Sequence, residues 1–281
     1  MIKIYNCFHD HGSMPSNKYI KNIRYSLLCG ADIEDRHTEN IVCDLRDNTG
    51  ENISIENRQY SELTGYYWVW KNDTADIIGI EHYRRHFIKH LPVVYNCVMP
   101  NNLYDKNDIE NTLSEYDFII PVHESLSNTS VYDLYVICFD KQADDIVKYM
   151  RNYFIENNMK NYLDSMYEYM SHNSLTRANM LITNKKNFDE YCTAMFSMID
   201  YLKEHMPVKP ESRVWGYVSE LFPMIYLKAN NKTFKEVDVA VDDFNQDLQK
   251  DVVYTTLNNT EEEFNKDPNK QIEYFKNLQK T

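Results

Sequence analysis

The sequence predicts an α/β protein with a mixed, mainly parallel central sheet flanked by helices and a mostly helical second half. In the first half, short apolar runs of strand length alternate with a helical pattern, as in α/β folds. From about residue 140 onward, apolar residues recur mainly at the three-to-four spacing of helices. The 281 residues are 43% hydrophobic and 14% aromatic, which is enough material for a full core.

The strands predicted in the first half are short and apolar. The first covers residues 2–8 and ends at the polar loop 9–12, and a second short apolar run covers residues 41–43. Residues 77–80 and 116–121 are largely apolar. Strands without polar alternation are typical of parallel sheets covered on both faces, so a parallel-leaning sheet is expected.

Helical spacing predicts one helix in the first half, over residues 57–72, and four in the second. The later helices are predicted over residues 143–154, 159–170, 187–205 and 212–227. An apolar strand, residues 178–183, interrupts them, and a weak strand is predicted over residues 233–239. The Met- and Tyr-rich helices 143–154 and 159–170 are interpreted as core, with an exposed lipid-facing surface as the alternative.

The charge and the glycine positions exclude several classes of protein. With a net charge of −13, the chain lacks the basic face that bulk nucleic acid requires, so no nucleic acid partner is expected. The six glycines are far apart, and the nearest two are Gly65 and Gly79. The glycine-rich dinucleotide loop, the P-loop and the Gly-x-Ser-x-Gly elbow are therefore all absent.

The cysteine and hydropathy patterns favour a reducing compartment. Six cysteines are scattered without a Cys-x-x-Cys pair, so neither a zinc site nor a disulfide scaffold is expected. No apolar run approaches the ~20 residues of a membrane helix, and the first residues do not have the pattern of a signal peptide. We expect a cytoplasmic protein, with peripheral contact at the inner face of the plasma membrane left open.

The most concentrated group of cations follows a buried strand. Strand 77–80 leads directly into Glu81-His82-Tyr83-Arg84-Arg85-His86-Phe87. Ligands of open α/β sheets bind beyond the carboxyl ends of the strands, and guanidinium groups match the oxygens of a diphosphate. This position favours phosphate binding by these residues. The alternative is that the arginines pair with some of the 43 acidic residues on a solvated face.

A second candidate residue is Glu220, in the predicted helix 212–227. Its apolar neighbours place it partly toward the interior, where burial would raise its pKa toward the range of a general base. The alternative is a surface carboxylate or an ion pair with Arg213.

Several segments, taken in order, resemble one known family. They are residues 47–72, which include Tyr66-Tyr67-Trp68-Val69-Trp70-Lys71-Asn72, then residues 79–87, 178–192 and 213–220. Over roughly residues 1–230, the chain resembles the domain-of-unknown-function 4422 group of bacterial capsular and exopolysaccharide glycosyltransferases.

The resemblance implies a GT-A-like, Rossmann-like fold and transfer of a hexose from a nucleotide donor to a glycan or lipid-linked acceptor. UDP-hexose is the expected donor, with UDP-galactofuranose among the candidates. One domain is expected over residues 1–232, with a nucleotide-binding half of about residues 1–122 and a helical acceptor half of about residues 123–232. Residues 233–281 are expected to be a peripheral extension.

The same resemblance assigns the site residues. In familiar GT-A enzymes the strand equivalent to 77–80 ends in Asp-x-Asp, which holds a metal on the donor diphosphate, whereas here it ends in Glu81-His82-Tyr83-Arg84-Arg85. This implies a reaction without metal or cofactor, in which fixed cations stabilise the leaving diphosphate. Glu220 would be the base of an inverting transfer, and Asn179 and Arg213 would bind the acceptor sugar. The predicted nucleotide-sugar ligands are His9, Asp47, Asn52, Asn57, Glu62, Lys71, His82, Arg84 and Arg85.

Two functions of other classes stay open at this point. One is a non-catalytic nucleotide- or glycan-binding module, because a fold does not guarantee chemistry. The other is a scaffold protein of a polysaccharide assembly complex. A homodimer is compatible with either function and with an enzyme.

Overall fold

A mixed sheet runs through the centre of the protein. The computed structural model describes residues 1–15, 20, 22–89, 102–139, 141–176, 178–206, 208, 212–241 and 253–254. The strands are β1 (Ile2–Phe8), β2 (Arg24–Leu28), β3 (Leu45–Arg46), β4 (Ile77–His82), β5 (Arg85–Phe87), β6 (Phe118–Pro121), β7 (Glu124–Ser125), β8 (Ser174–Leu175), β9 (Leu181–Asn184), β10 (Phe234–Val237), β11 (Val239–Val241) and β12 (Val253–Tyr254).

Eight α-helices accompany these strands in the described part of the chain. They are α1 (Asn57–Tyr60), α2 (Leu63–Asn72), α3 (Lys106–Leu113), α4 (Val131–Phe139), α5 (Lys141–Glu156), α6 (Lys160–Ser171), α7 (Lys185–His205) and α8 (Val214–Ala229). The last four confirm the helices predicted in the second half. None of the described helices combines the length and the apolarity that crossing a bilayer requires.

The main path of the sheet has the order β10-β6-β9-β4-β1-β2-β3. Neighbouring strands are parallel except at β9, which runs antiparallel to both β4 and β6. The carboxyl ends of β1, β2, β4 and β6 and the amino end of β9 therefore lie at the same edge of the sheet, here called the carboxyl edge. A mainly parallel sheet flanked by helices is thus confirmed.

Alternate residues of each strand pack on opposite faces of the sheet. On β1, Tyr5 joins a large core with Ile78 of β4 and the helices α2, α5, α6, α7 and α8. Its neighbour Ile4 packs on the other face with Ile119 and with Ile109 of α3. Met150, Met166 and Met170 are fully buried in the large core, which confirms the core interpretation of the Met- and Tyr-rich helices.

The structure differs from the sequence prediction in five places. Strand β2 lies in a polar stretch where none was predicted, and α3 and α4 were not predicted either. The apolar run 41–43 is loop, with Val42 exposed. The predicted helix 57–72 is two helices, because the backbone of Ser61 between them adopts φ +52°.

The predicted boundary at residue 232 does not match the sheet. The strand expected over residues 233–239 exists, and as β10 it pairs in parallel with β6, while β11 pairs with β5. Val237 and Ala240 are buried. Residues 234–241 are therefore part of the central sheet rather than a peripheral extension, and the prediction for residues 242–252 and 255–281 lies outside the described residues.

Candidate functional site

Loops at the carboxyl edge bring together four arginines, here called the arginine cluster. Arg36 ends a short turn after β2, Arg84 and Arg85 follow β4, and Arg213 immediately precedes α8. The charges of Arg36, Arg84 and Arg213 act together on His9. Those of Arg85 and Arg213 act on Glu62 and on His82. Two further arginines, Arg36 and Arg213, thus join the predicted cations Arg84 and Arg85, although the sequence analysis did not assign them to the phosphate site.

Arg36 is the cation that the sequence analysis missed. Its Nη1 donates to Asn57 Oδ1 at 2.7 Å and to the Cys29 carbonyl at 3.3 Å. Gly30 makes room for it, since a Cβ at that position would lie 2.5 Å from Nη1, and its φ of +74° also favours glycine. No local motif marks Arg36, because only the fold brings it beside His9.

Side-chain contacts hold Arg84 and Arg213. The Arg84 guanidinium lies 4.7 Å from the centre of the Tyr83 ring, within the range of a cation–π interaction. Arg213 has a left-handed backbone, with φ +51°, and its Nε donates to Ser61 Oγ at 3.1 Å. Ser61 was not predicted either, and it connects the start of α8 to the break between α1 and α2.

Two histidines lie beside the arginine cluster. Burial lowers the pKa of His9; Asp10, with Oδ2 3.2 Å from the ring Nε2, opposes this shift, and the arginines reinforce it. Burial and then Arg85 lower the pKa of His82 to about 3, so its ring is neutral at pH 7. The His82 Nε2 atom is buried and has no hydrogen-bond partner in the described structure. The sequence analysis predicts both histidines as nucleotide-sugar ligands, and both lie beside the arginine cluster.

Glu62 and Asn179 adjoin the same cluster. Glu62 is partly exposed just before α2, and its Oε1 accepts a hydrogen bond from Asn179 Nδ2 at 2.5 Å. Burial raises the pKa of Glu62 despite this hydrogen bond and the nearby arginines. The structure therefore places one predicted donor-side residue and one predicted acceptor-side residue in direct contact.

Two predicted ligands lie beneath the surface. Asp47 is fully buried and accepts hydrogen bonds from Gly30 N at 2.7 Å, Ala31 N at 3.1 Å and Ser54 Oγ at 2.5 Å. Asn57 is also buried. Its Oδ1 accepts a hydrogen bond from Arg36, and its Nδ2 donates to the Ser61 carbonyl and to Thr64 Oγ1. Both residues shape the loops that carry the cluster, and a direct contact with a nucleotide is not available to Asp47 in this conformation.

Two further predicted ligands lie away from the arginine cluster. Lys71 is at the far end of α2 from Glu62, about 13 Å away along the helix axis at ~1.5 Å per residue. Its Nζ lies 3.5 Å from Glu51 and 3.6 Å from the Trp70 ring centre. Asn52 bonds within its own loop, to the Gly50 carbonyl at 3.0 Å and to Ser54 N at 3.1 Å. The motif block that contained them spans the whole length of the helix, so its two ends cannot share one site.

Glu81, near the end of β4, forms a buried ion pair with Arg24. Its carboxylate accepts from Arg24 Nη2 at 2.9 Å, Arg24 Nε at 3.1 Å and Phe87 N at 3.0 Å, and lies 3.1 Å from His86 Nδ1. Burial opposes ionisation, but Arg24 and His86 outweigh it and hold the pKa of Glu81 at about 2. With every lone pair occupied, Glu81 has no position for a metal. The described residues contain no group of three His, Cys, Asp or Glu side chains with metal-binding geometry.

Glu220 lies farther along α8 than Arg213. It follows Arg213 by seven residues on α8, which is about 10 Å of helix. Its charge, with that of Glu236, adds to burial in raising the pKa of Tyr169. Asn179 contacts the same helix, because its Nδ2 also lies 3.0 Å from Gly216 O and 2.8 Å from Ser219 Oγ. The role of Glu220 as a base stays a prediction.

The cations at the carboxyl edge come from distant parts of the chain. This arrangement is typical of an α/β protein that binds a ligand at that edge. Residues 3–232 match the model of the family described as domain of unknown function (DUF4422), and the chain belongs to that family. No curated protein matches the chain. Among solved structures, it is similar to the apo structure of WbbM, a bifunctional glycosyltransferase, with a TM-score of 0.71 and 24% sequence identity. The similarity covers 86% of this chain and 45% of the WbbM chain, so this protein spans about half the length of that neighbour.

Proposed function

We propose that this protein is a glycosyltransferase that moves a sugar from a nucleotide donor to a glycan or lipid-linked acceptor in bacterial surface polysaccharide synthesis. The observation that carries the proposal is the arginine cluster at the carboxyl edge, in a chain whose net charge is −13. Local cations at a strand end suit a compact anion such as a nucleoside diphosphate. Family membership and the fold shared with WbbM support the same class of reaction.

In this proposal the arginines act on the leaving group. As the bond between the sugar and the diphosphate breaks, negative charge develops on the diphosphate oxygen, and preorganised guanidinium groups stabilise it. Arg84 and Arg85 would contact the phosphates, Arg36 and Arg213 would complete the shell, and His9 would lie against the nucleotide. UDP-hexose, including UDP-galactofuranose, is the proposed donor class, and the proposed transfer is inverting and independent of a divalent metal.

Calorimetry with UDP, GDP and CMP tests the binding step. We expect UDP to bind in the presence of EDTA, and Arg84→Ala or Arg85→Ala to weaken it at least about tenfold, because a charge-assisted hydrogen bond is worth about 1.5–3 kcal/mol. Lys186→Ala is the matched control, since Lys186 is exposed on α7 at the opposite edge of the sheet.

Three results would count against the proposal. Equal UDP affinity in both arginine variants and the wild type would place the diphosphate elsewhere. Binding that EDTA abolishes and Mn²⁺ restores would replace the metal-independent mechanism with a metal-dependent one. UDP binding without release of sugar from any UDP-hexose would identify a non-catalytic binding module.

A further inference from the structure

Strained backbone is concentrated around one carboxylate. Among the described residues other than glycine, nine have positive φ, and four of them lie in the three segments that carry Ser61, Asn179 and Arg213, the neighbours of Glu62. These are Ser61 (+52°), Ala178 (+76°), Asn179 (+45°) and Arg213 (+51°). Left-handed backbone is costly for such residues, and it persists where the surrounding structure holds a functional geometry. Three separate segments beside the side chain of Glu62 thus have strained backbone.

Asn179 fixes the position of this carboxylate. Gly216 O and Ser219 Oγ hold the side chain of Asn179. Its backbone carbonyl accepts a hydrogen bond from Tyr66 Oη at 2.5 Å. From this fixed position its Nδ2 donates to Glu62 Oε1. No hydrogen bond from a described side chain reaches the second oxygen of Glu62, Oε2. Asn179 Oδ1 is also buried without a hydrogen-bond partner in the described structure. Because Glu62 is partly exposed, its second oxygen is left to accept a hydrogen bond from an external hydroxyl group.

The charges around Glu62 differ between its two sides. Arg213 from the start of α8 and Arg85 from β5 provide positive charge, and both favour the ionised carboxylate. On the buried side its charge acts on the Cys29 thiol and the phenols of Tyr66 and Tyr191, whose pKa values are all raised, so these groups stay neutral at pH 7. Burial exceeds the effect of the cations and raises the pKa of Glu62. A carboxylate with a raised pKa is a stronger base than an ordinary glutamate.

We infer that Glu62 is the general base of the reaction and that Asn179 is its positioning residue, an inference that rests on the proposed glycosyltransferase function. Glu62 takes the proton of the acceptor hydroxyl while that oxygen forms a bond to the anomeric carbon of the donor sugar. The bond from that carbon to the diphosphate breaks, and its electron pair leaves on the diphosphate oxygen, beside the arginine cluster. The proton on Glu62 then passes to water. This assignment differs from the sequence-based one, which gave the role to Glu220.

The test measures UDP release from UDP-galactose, UDP-glucose and UDP-galactofuranose in the presence of saccharide acceptors. Glu62→Gln keeps the hydrogen bond from Asn179 but cannot take a proton. We expect kcat to fall at least about 100-fold, the usual contribution of a general base, while the Kd for UDP stays within a factor of three. The acidic limb of the wild-type pH profile of kcat should disappear in this variant. Glu110→Gln, on the exposed face of α3, is the matched control.

A second measurement does not depend on activity. Because the folded-state pKa of Glu62 is raised, wild-type stability falls as the pH rises from the ordinary glutamate value toward the raised one. Glu62→Gln removes this loss, so the variant should melt above the wild type at pH 8 and at the same temperature at pH 4.

The outcomes distinguish a failure of the proposed function from a failure of the base assignment. Wild-type protein that binds UDP and releases none from any donor would overturn the proposed function and the base assignment with it. Wild-type turnover with more than a tenth of kcat retained in Glu62→Gln would overturn the base assignment alone. Near-complete loss in Glu220→Gln, with Glu62→Gln active, would return the role to Glu220.

Discussion

At the scale of single residues, the chemistry of this site depends on how each charged side chain is partnered. Glu81 and Glu62 are both shielded carboxylates near the carboxyl edge, but they have opposite properties. Glu81 is fully enclosed by Arg24, His86 and a backbone amide, and its pKa is about 2. Glu62 has one side-chain hydrogen bond, and its pKa is raised. The number of donors around each carboxylate thus separates a structural acid from a candidate base.

Removing the charge of Glu81 should destabilise the fold. Glu81→Gln leaves Arg24 buried without its counter-charge, which typically costs about 3–5 kcal/mol of unfolding free energy. Denaturant titration at pH 7 measures this loss, with Glu110→Gln as the exposed control. An unchanged midpoint would mean that the pair contributes no net stability.

The same pair predicts a pH dependence. The folded-state pKa of about 2 lies below the ordinary glutamate value, so the stabilisation is fully present above about pH 4.5 and is lost as the pH falls toward 2. Wild-type stability should therefore decline more steeply than that of Glu81→Gln across this range.

At the scale of secondary-structure elements, the break between α1 and α2 decides what reaches the site. An uninterrupted helix would carry Ser61 and Glu62 in regular positions, whereas the left-handed Ser61 lets Glu62 face Asn179 and Arg213. After the break, α2 packs closely on the sheet through Gly65. A Cβ at Gly65 would lie 2.8 Å from Cys29 Sγ and 3.0 Å from Cys7 Sγ. The small residue therefore sets the distance between α2 and strands β1 and β2.

Gly65→Ala should lower the unfolding free energy by about 1–3 kcal/mol through overpacking, although alanine is the better helix former. Adding Cys29→Ala removes the nearest clashing atom and should recover part of the loss. Chemical denaturation of the two single variants and the double variant measures this coupling. Strictly additive effects would show that the contact does not limit the packing.

At the scale of the whole molecule, the sheet order brings the functional loops together. Strands β2, β1, β4 and β9 are neighbours in space, so Arg36, His9, His82 and Asn179 meet although their positions in the chain are far apart. The sheet extends beyond the family match, because β10 pairs with β6 and β11 with β5, the strand that begins with Arg85.

Shortening the chain tests whether these last strands belong to the domain. A protein ending at Lys232 loses β10 to β12, together with the hydrogen bonds from Thr233 to the Asp117 carboxylate. It should unfold at a distinctly lower temperature than a protein ending at Tyr254, which retains all three strands. Equal melting temperatures would show that the strands contribute no stability.

Local patterning predicted most of the regular structure. The strands at residues 2–8, 77–80 and 116–121 were identified by short apolar runs, and the four later helices by the periodic spacing of their apolar residues. Strand β2 escaped because Arg24 and Ser26 give it a polar sequence, although Arg24 is buried against Glu81. An ion pair formed across 57 positions leaves no local signal.

The sequence by itself determined the class of fold, the family and the cations after β4, because each is written in a continuous run of residues. Only the tertiary structure decided which residues share the site. It placed Arg36 and Arg213 in the arginine cluster and Lys71 and Asn52 away from it. It also enclosed Glu81 and Asp47, and it joined Glu62 to Asn179 across 117 positions. The physical reason is that periodicity is set within a few residues. The partners and the burial of a side chain depend instead on the order of the strands, which decides whose ends lie side by side.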